Sequence, residues 1–264
     1  MRGRLSNLVK VFFYNLKSRY LLPTACYFCG LPLTDDRYIR KPRVCLCAGC
    51  QARLPFVPPE QQGLCLAAHT GEHGRRRLYD PAAYPAALPF SYPDYFPCYS
   101  AMRYEEPINR AVAALKFGGD LAAVPPLGAL LTGCIQQFIL PREGAPDFLV
   151  PVPLHPRRLR ERGYNQAAEL ALEAGRLCKL PVAVDGLQRV RATARQSTLQ
   201  GVDQRAANLA EAFRVNASSP RAFVGKSLIL LDDVLTTGST VRNAALSLVF
   251  GGAAKVVILS LAID

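Results

Sequence analysis

The sequence has no run of eighteen apolar residues, and its N-terminus has no continuous apolar segment followed by a cleavage site. The first absence argues against a transmembrane helix, and the second argues against a secretory signal. The predicted C-terminal domain contains no internal repeat, and the chain contains no low-complexity tract. With 264 residues, of which 50% are hydrophobic, the chain is long enough to bury the core of one large or two smaller domains.

Two common phosphate-binding motifs are also missing. No G-x-G-x-x-G sequence follows a predicted strand, which excludes the usual dinucleotide fingerprint. Gly225-Lys226-Ser227 resembles the end of a P-loop, but Pro220 occupies the position of the first glycine in that motif. The segment also precedes a predicted strand, whereas a P-loop follows one.

Acidic residues are comparatively few. Thirty-two Lys and Arg residues against twenty Asp and Glu residues give a formal net charge of +12. This balance favours anionic partners such as nucleic acid, nucleotides, pyrophosphate or an acidic membrane surface. The arginines cluster within residues 75–77, 157–162 and 189–205, which argues against a merely soluble basic surface.

Residues 1–22 contain no acid and have apolar side chains at helical spacing, which predicts a basic amphipathic helix. Its apolar residues are Leu5, Leu8, Val9, Phe12, Phe13 and Leu16. Such a helix is compatible with peripheral contact to a membrane surface or with DNA. It is equally compatible with packing of the apolar face on the rest of the protein.

Five of the nine cysteines lie between residues 26 and 50. Cys26 and Cys29 form one C-x-x-C pair, and Cys47 and Cys50 form a second pair after seventeen intervening residues. Two such pairs suit tetrahedral Zn²⁺ and predict a small zinc ribbon, which is typical of a reduced, cytoplasmic protein. Cys45 is an alternative to Cys47, although C-x-C is the less usual spacing.

A second metal site is a further hypothesis. Cys65, His69 and His73 are metal-ligating residue types in one proline-rich stretch. Gly71 and the missing fourth ligand argue against this site. A surface loop with two solvated histidines is the alternative.

The segment 227–240 is the centre of the predicted domain. An aliphatic strand leads into two adjacent acids, Asp232 and Asp233, and then into a hydroxyl-rich turn before an amphipathic helix. The helix N-terminus offers N–H groups to a phosphate, and paired carboxylates suit the two hydroxyls of a ribose. The segment therefore predicts a ribose 5-phosphate cradle. A strand whose acids merely cap a helix is the alternative, but a cap needs one acid and no run of hydroxyls. The predicted cradle consists of Asp232, Asp233, Thr236, Thr237, Gly238, Ser239 and Thr240.

Around this segment, strands and helices alternate. Strands are predicted at residues 96–104, 148–154, 212–215 and 256–262, with a short one near Val182. The strand at 256–262 is expected to close the sheet. The alternation predicts an α/β fold with a mostly parallel sheet and helices on both faces. The predicted organisation is a helix at 1–22, a zinc-ribbon module with a proline-rich connector at 23–91, and the α/β domain at 92–264. The sequence as given ends soon after the last predicted strand, so any hood over the site is expected from residues 1–92.

The segment 227–240 resembles the type I phosphoribosyltransferases, whose phosphoribosyl pyrophosphate (PRPP) motif is a hydrophobic strand, two acids and T-T-G-S/A-T. This resemblance implies a type I phosphoribosyltransferase-like domain that binds PRPP with Mg²⁺. Transfer from PRPP expels pyrophosphate, so donors must stabilise the charge of the leaving group. The strand end near Val152 and the basic loop at 189–205 are the candidate donors, and the loop is expected to close over the site.

Several further segments resemble the ComF family (ComFC- and GntX-like proteins). They are the two cysteine pairs, 115–120 (LKFGGD), 150–154 (VPVPL), 162–166 (RGYNQ), Arg195-Gln196 and Arg205 with Asn208. The resemblance implies a zinc module on a phosphoribosyltransferase-like domain that handles incoming single-stranded DNA in natural transformation or in DNA utilisation. Many relatives carry a second pair of C-x-x-C motifs, of which only Cys65 is recognisable in this chain.

The resemblance also implies roles for individual residues. Asp232 and Asp233 are expected to be the catalytic pair that holds the ribose hydroxyls and Mg²⁺, and the following turn is expected to hold the 5′-phosphate. Lys116 is a candidate contact to PRPP or DNA. The residues expected to face the pyrophosphate are Leu154, Arg157, Arg158 and Arg162. The residues assigned to the flexible loop are Arg191, Arg195, Gln196 and Arg205.

Three functions follow from these expectations. The favoured one is a PRPP-binding protein that handles single-stranded DNA, with other DNA-uptake proteins as partners. The second is an active phosphoribosyltransferase that transfers ribose 5-phosphate to an unidentified nucleophile. The third is a nucleotide-sensing regulator.

Overall fold

The structure is a computed structural model. It describes residues 25–33, 45–67, 78–79, 95–190, 212–216 and 223–264. Several predicted features lie outside these residues: the helix at 1–22, His69 and His73, Arg75 to Arg77, and the loop residues Arg191, Arg195, Gln196 and Arg205.

Eight strands are described. In chain order they are β1 (Leu64–Ala67), β2 (Leu78–Tyr79), β3 (Tyr95–Arg103), β4 (Phe148–Pro151), β5 (Leu187–Arg189), β6 (Phe213–Val215), β7 (Ser227–Leu235) and β8 (Lys255–Ile263). Six of them form one sheet in the order β2-β1-β3-β8-β7-β4. The four strands from β3 to β4 are parallel, and β1 and β2 extend the sheet as antiparallel strands. The strands β5 and β6 form a separate antiparallel ribbon.

Seven α-helices are described. They are α1 (Ala48–Gln51), α2 (Ile108–Ala113), α3 (Val124–Cys134), α4 (Leu140–Glu143), α5 (Pro156–Arg162), α6 (Gln166–Cys178) and α7 (Ser239–Phe250). A π-helical turn, Ala114–Gly118, continues α2, and a second one, Ile135–Ile139, joins α3 to α4. Short 3₁₀ turns are present at Pro59–Gln61 and Leu121–Ala123.

The central strand β7 is buried on both faces because its aliphatic residues alternate between two cores. Ile229 and Leu231 face the core that α3 and α6 cover, whereas Leu228 and Leu230 face the core that α7 covers. All four side chains are 0% exposed. Full burial of one such side chain contributes about 1.5–3 kcal/mol, so this strand is held firmly in the middle of the domain.

One helical run, Leu121–Glu143, has the length and mean hydropathy (1.4) of a membrane span. However, 56% of its most apolar window is buried inside the protein. Leu127, Leu131 and Ile135 are fully buried in the core between this run, α6 and the sheet. This burial is typical of a core helix.

The predicted α/β class is confirmed: a mostly parallel sheet carries helices on both faces. Two details of the prediction were wrong. Residues 213–215 pair with β5 in the separate ribbon, whereas they were expected to continue the alternating sheet. The last strand, β8, lies between β3 and β7 and does not close the sheet, because strand order along the chain does not fix strand order in space. The α/β domain was predicted to begin at residue 92. Strands β1 and β2, which precede that residue, belong to the same sheet.

Candidate functional site

The two acids lie in the last part of β7, where its neighbour β8 is also extended. Asp232 pairs with Ser260 of β8, and Val234 pairs with Ala262. The N–H of Asp233 donates to Oδ1 of Asp232 at 2.9 Å. Because ligands of open α/β sheets bind beyond the carboxyl ends of the strands, the two acids occupy the edge at which a ligand is expected.

The hydroxyl-rich turn follows directly and opens helix α7. Gly238 has a φ of +75°, a conformation that glycine adopts without strain. Thr237 Oγ1 lies 3.1 Å from Ser239 Oγ and accepts from the N–H of Ser239 at 3.4 Å. The first N–H groups of a helix have no partner within the helix, and they lie at the positive end of its dipole. The hydroxyls of the predicted turn and the first N–H groups of α7 therefore offer hydrogen-bond donors close to one another.

The electrostatics of the acids are unusual. Burial and the adjacent charge of Asp233 raise the pKa of Asp232 to about 8. Lys116 Nζ lies 3.1 Å from Asp233 Oδ1, and both side chains are mostly buried. Repulsion between adjacent carboxylates does not stabilise a fold. Such a pair at the edge of a parallel sheet is therefore typical of a functional site.

The end of β4 lies beside the acids, as predicted. The N–H of Val152 donates to the carbonyl of Leu231 at 2.8 Å, and Asn165 Nδ2 donates to the carbonyl of Val152 at 3.0 Å. His155 Nδ1 accepts from the N–H of Arg157 and caps α5, a helix that was not predicted. Leu154 is half-buried in the connection to this helix.

The three arginines that were expected to face the pyrophosphate do not share one environment. Arg157 is exposed and pairs with Glu161 at 2.9 Å. Arg158 acts with burial to lower the pKa of Arg189, whereas Asp232 raises it, so these three side chains are electrostatic neighbours. The guanidinium of Arg162 lies over the ring of Phe117, 5.4 Å from its centroid. Arg189, which begins the predicted basic loop but was not singled out as a site residue, therefore interacts with Asp232.

The four predicted metal-ligating thiols lie together. Their Sγ atoms all lie within 4.8 Å of one another, and Cys29 Sγ is 3.6 Å from Cys47 Sγ. Tetrahedral coordination at a metal–sulfur distance of about 2.3 Å needs a sulfur–sulfur spacing of this order. The cluster of Cys26, Cys29, Cys47 and Cys50 can hold a metal ion such as Zn²⁺.

The thiol cluster includes Cys47 and not Cys45. Cys45 is buried and outside the cluster, and its carbonyl accepts from the N–H of Tyr27 at 2.7 Å. Cys26 Sγ accepts from the N–H of Cys47 at 3.3 Å. Although burial opposes the charged form, this and other N–H donors lower the pKa of Cys26 to about 6, which favours the thiolate that binds metals.

The thiol cluster is connected to the acids through the segment 115–120. The Tyr27 hydroxyl donates to Asp120 Oδ2 at 2.9 Å. Four residues before Asp120, Lys116 contacts Asp233. The two buried residues Cys26 and Leu46 belong to the same hydrophobic core as Leu115. The cysteine module thus packs directly on the segment that reaches the acids, a connection between residues far apart in sequence that was not predicted.

A cavity of about 240 Å³ lies at the same sheet edge. Val57 and Gln61 line it from the N-terminal side, and Arg103, Glu105 and Asp264 line it at the ends of β3 and β8. The N–H of Asp264 donates to the carbonyl of Leu235, the last residue of β7, although neither Asp232 nor Asp233 lines the cavity.

Comparisons with known proteins find relatives that are named for DNA utilization or for competence. The DNA utilization protein YhgH of Salmonella typhimurium is 32% identical over 241 residues, which covers 89% of this chain and 95% of that protein. The protein of the same name from Escherichia coli K12 is 29% identical with the same coverage. Competence protein F of Haemophilus influenzae is 33% identical over 141 residues, or 53% of this chain and 61% of that protein.

No family model matches the chain. Among solved structures, the glutamine PRPP amidotransferase of B. subtilis aligns with a TM-score of 0.35 and 16% identity, over 53% of this chain and 27% of that one. That likeness is too weak to bear on function. The identity and coverage shared with the Salmonella relative, together with the motifs described above, show that the chain belongs to the ComF family.

Proposed function

We propose that the protein binds PRPP, or another ribose 5-phosphate ligand, in a cradle formed by the end of β7 and the start of α7. The single observation that carries this proposal is the side-by-side placement of Asp232 and Asp233 with the turn at Thr237 to Ser239. The acids accept hydrogen bonds from the ribose hydroxyls. The N-terminal N–H groups of α7 and the hydroxyls of the turn donate to the 5′-phosphate.

Mg²⁺ fits this cradle because carboxylate oxygens are the ligands that it prefers. The raised pKa of Asp232 supports this role, since a bound cation would relieve the repulsion between the adjacent acids. Asp232 and Asp233 would hold the ion, which neutralises pyrophosphate charge when it is bound. In the cysteine module, the four clustered thiols would hold Zn²⁺ as a structural ion.

The pyrophosphate end of the ligand is assigned to the segment from Leu154 to the end of α5 and to Arg189. Leu154 leads into that helix, Arg158 and Arg162 lie on it, and Arg158 is an electrostatic neighbour of both Arg189 and Asp232. Arg157 is paired with Glu161 and would have to exchange partners to take part. The loop residues Arg191, Arg195, Gln196 and Arg205 remain assigned to closure over the site.

We further propose that the protein handles single-stranded DNA in the cytoplasm. The relatives named for DNA utilization and competence support this role. The formal charge of +12 and the exposed arginines of α5 supply the electrostatic attraction that strand binding needs. Other DNA-uptake proteins are the expected partners, and residues 1–22 are the segment assigned to peripheral membrane contact.

Isothermal titration with a graded set of ligands tests the cradle. In the presence of Mg²⁺, PRPP is expected to bind most tightly and ribose 5-phosphate more weakly, whereas ribose without a phosphate is expected not to bind. If pyrophosphate bound as tightly as PRPP, the site would be a general anion site and the ribose assignment would be wrong. An absence of binding by every ligand in the set would reject the cradle altogether.

An active phosphoribosyltransferase is the second candidate function, and the cavity of about 240 Å³ favours it. Arg103, Glu105 and Asp264 offer both donors and acceptors to an acceptor molecule at the edge that also carries the acids. Release of labelled pyrophosphate from PRPP, measured with a panel of bases and oligonucleotides, distinguishes the enzyme from the binding protein. Release above the hydrolytic background with one acceptor would establish the enzyme.

A further inference from the structure

Phe117 is the most exposed large apolar side chain among the residues that the structure describes, with 81% of its surface open to solvent. Single exposed apolar residues are common on protein surfaces, so exposure alone assigns no role. Phe117 differs because the backbone on both sides of it is held in place. It belongs to the π-helical turn Ala114–Gly118, a type of turn that is frequent at functional sites.

Three contacts fix this turn. The Tyr164 hydroxyl donates to the carbonyl of Leu115, whose side chain is fully buried. Lys116 Nζ reaches the acid pair at Asp233, and Asp120 is held by Tyr27 just after the turn. Since its neighbours are anchored, Phe117 is presented to solvent on a well-supported backbone. An aromatic ring held in this way loses little conformational entropy when a ligand stacks on it.

One face of the Phe117 ring is already occupied by a planar cation. The guanidinium of Arg162 lies over it at 5.4 Å from the centroid, a cation–π arrangement. The large exposed fraction of Phe117 means that the opposite face remains open. An open aromatic face with an arginine behind it is the arrangement on which proteins stack the bases of single strands.

Positive charge continues from this ring along α5. Arg157, Arg158 and Arg160 are exposed on that helix, and Arg162 stands at its last position. Arg157 pairs with Glu161, whereas Arg158 and Arg160 make no ion pair with any other described residue. The phosphates of a strand that passes the ring can therefore be neutralised by neighbouring guanidinium groups.

We propose that Phe117 is a stacking platform for a base of single-stranded DNA whose phosphates follow α5. The proposal rests on the DNA-binding part of the proposed function. It adds a named contact for one base and a path for the phosphates along α5. The platform adjoins the cradle, because Lys116 reaches Asp233. A strand stacked there would lie beside bound PRPP.

The absence of tryptophan from the chain makes the test direct. Phe117→Trp would carry the sole tryptophan, and its fluorescence would report stacking by a base. Phe250→Trp is the matched control, because Phe250 is also partly exposed, at 44%, but stands at the C-terminal end of α7, opposite the cradle. Both full-length proteins would be titrated with short oligothymidylate, and binding would be followed in parallel by the anisotropy of a labelled strand.

Saturable quenching of Phe117→Trp with the midpoint found by anisotropy, and no quenching of Phe250→Trp, is the expected result. Phe117→Ala is expected to weaken strand binding about tenfold, because stacking on an aromatic ring is substantial for each base. The salt dependence of binding should be unchanged, since no phosphate contact is lost. On an abasic strand, Phe117→Ala and wild type should bind equally.

Two outcomes overturn the stacking proposal alone: no quenching of Phe117→Trp while anisotropy reports binding, or equal quenching of both tryptophan proteins. In either case Phe117 is assigned to a protein partner or to no ligand, and the proposed DNA binding stands. If the wild-type protein binds no strand at low salt, the DNA-binding part of the proposed function fails and the platform fails with it. The PRPP titration is independent of both outcomes.

Discussion

Asp233→Asn is expected to weaken PRPP binding about 10- to 150-fold. A hydrogen bond to a charged group contributes about 1.5–3 kcal/mol, and each 1.4 kcal/mol is about a tenfold change in Kd. The substitution keeps the shape of the side chain, and it removes the neighbouring charge that contributes to the raised pKa of Asp232. It also neutralises the partner of Lys116. Because relief of the repulsion with Asp232 opposes the loss of the Lys116 ion pair, the fold should survive while PRPP binding weakens. Titration calorimetry and thermal melting measure the two effects.

Asp147→Asn is the matched control for this substitution. Asp147 lies just before β4, at the opposite edge of the same sheet, where it accepts from the N–H of Ser227 and from Lys226 Nζ. Those donors lower the pKa of Asp147, so its charge stabilises the fold above its unfolded pKa, and that stability is lost as the pH falls through the lower, folded pKa. Asp147→Asn should lower the melting temperature at neutral pH and leave PRPP binding unchanged. Equal loss of PRPP binding in the two variants would mean that the acids act only through the fold.

Loss of the proposed Zn²⁺ from the thiol cluster is expected to have the second large effect. Cys29→Ser removes one of four thiols, and structural Zn²⁺ contributes about 10–16 kcal/mol to the folding of small zinc modules. Because Cys26 and Leu46 pack in the main core, the loss should reach the α/β domain and lower its melting temperature by about 10 °C or more. Release of the Tyr27–Asp120 contact should also weaken PRPP binding through the segment that carries Lys116.

Cys178→Ala tests whether replacement of a cysteine outside the cluster also lowers the melting temperature and weakens PRPP binding. Cys178 is half-buried at the end of α6 and does not belong to the cluster. Its replacement should leave one Zn²⁺ per chain, measured by metal release to a chromogenic chelator, and should change the melting temperature far less. If Cys29→Ser kept its metal, or lost it without any change in melting or in PRPP binding, the proposed coupling of the module to the cradle would be wrong.

Features encoded in short stretches of sequence were predictable. The aliphatic run, the acids and the hydroxyl-rich turn of the cradle lie within residues 227–240, and the structure keeps them together. The cysteine pairs are equally local, and within the second pair Cys47 Sγ accepts from the N–H of Cys50. In each case the relevant geometry is set by neighbours in sequence.

Contacts between distant residues were not predictable from periodicity. Tyr27 and Asp120 are separated by 93 positions, and nothing near either one indicates the other. The role of Lys116 opposite Asp233 likewise depends on how α2 is placed on the sheet. The alternation of strands and helices along the chain does not determine that β8 lies between β3 and β7.

Helix α5 was missed although a local signal existed. Pro156 occupies its first position and His155 caps it, an arrangement that is favourable at a helix N-terminus. The predicted strand ended at Leu154, and no element was assigned to residues 156–162. The helix changes the account of the arginines, because it places Arg162 over Phe117 and leaves Arg157 paired along the helix.

The central claim is that a phosphorylated ribose docks where α7 begins. Amide hydrogen exchange, measured by mass spectrometry with and without PRPP and Mg²⁺, tests that location directly. The account predicts slower exchange in peptides that cover residues 232–242, where Thr237 and Ser239 are exposed in the ligand-free protein, and no change near Asp147. Protection confined to other parts of the chain, with residues 236–240 unchanged at saturating PRPP, would contradict the account.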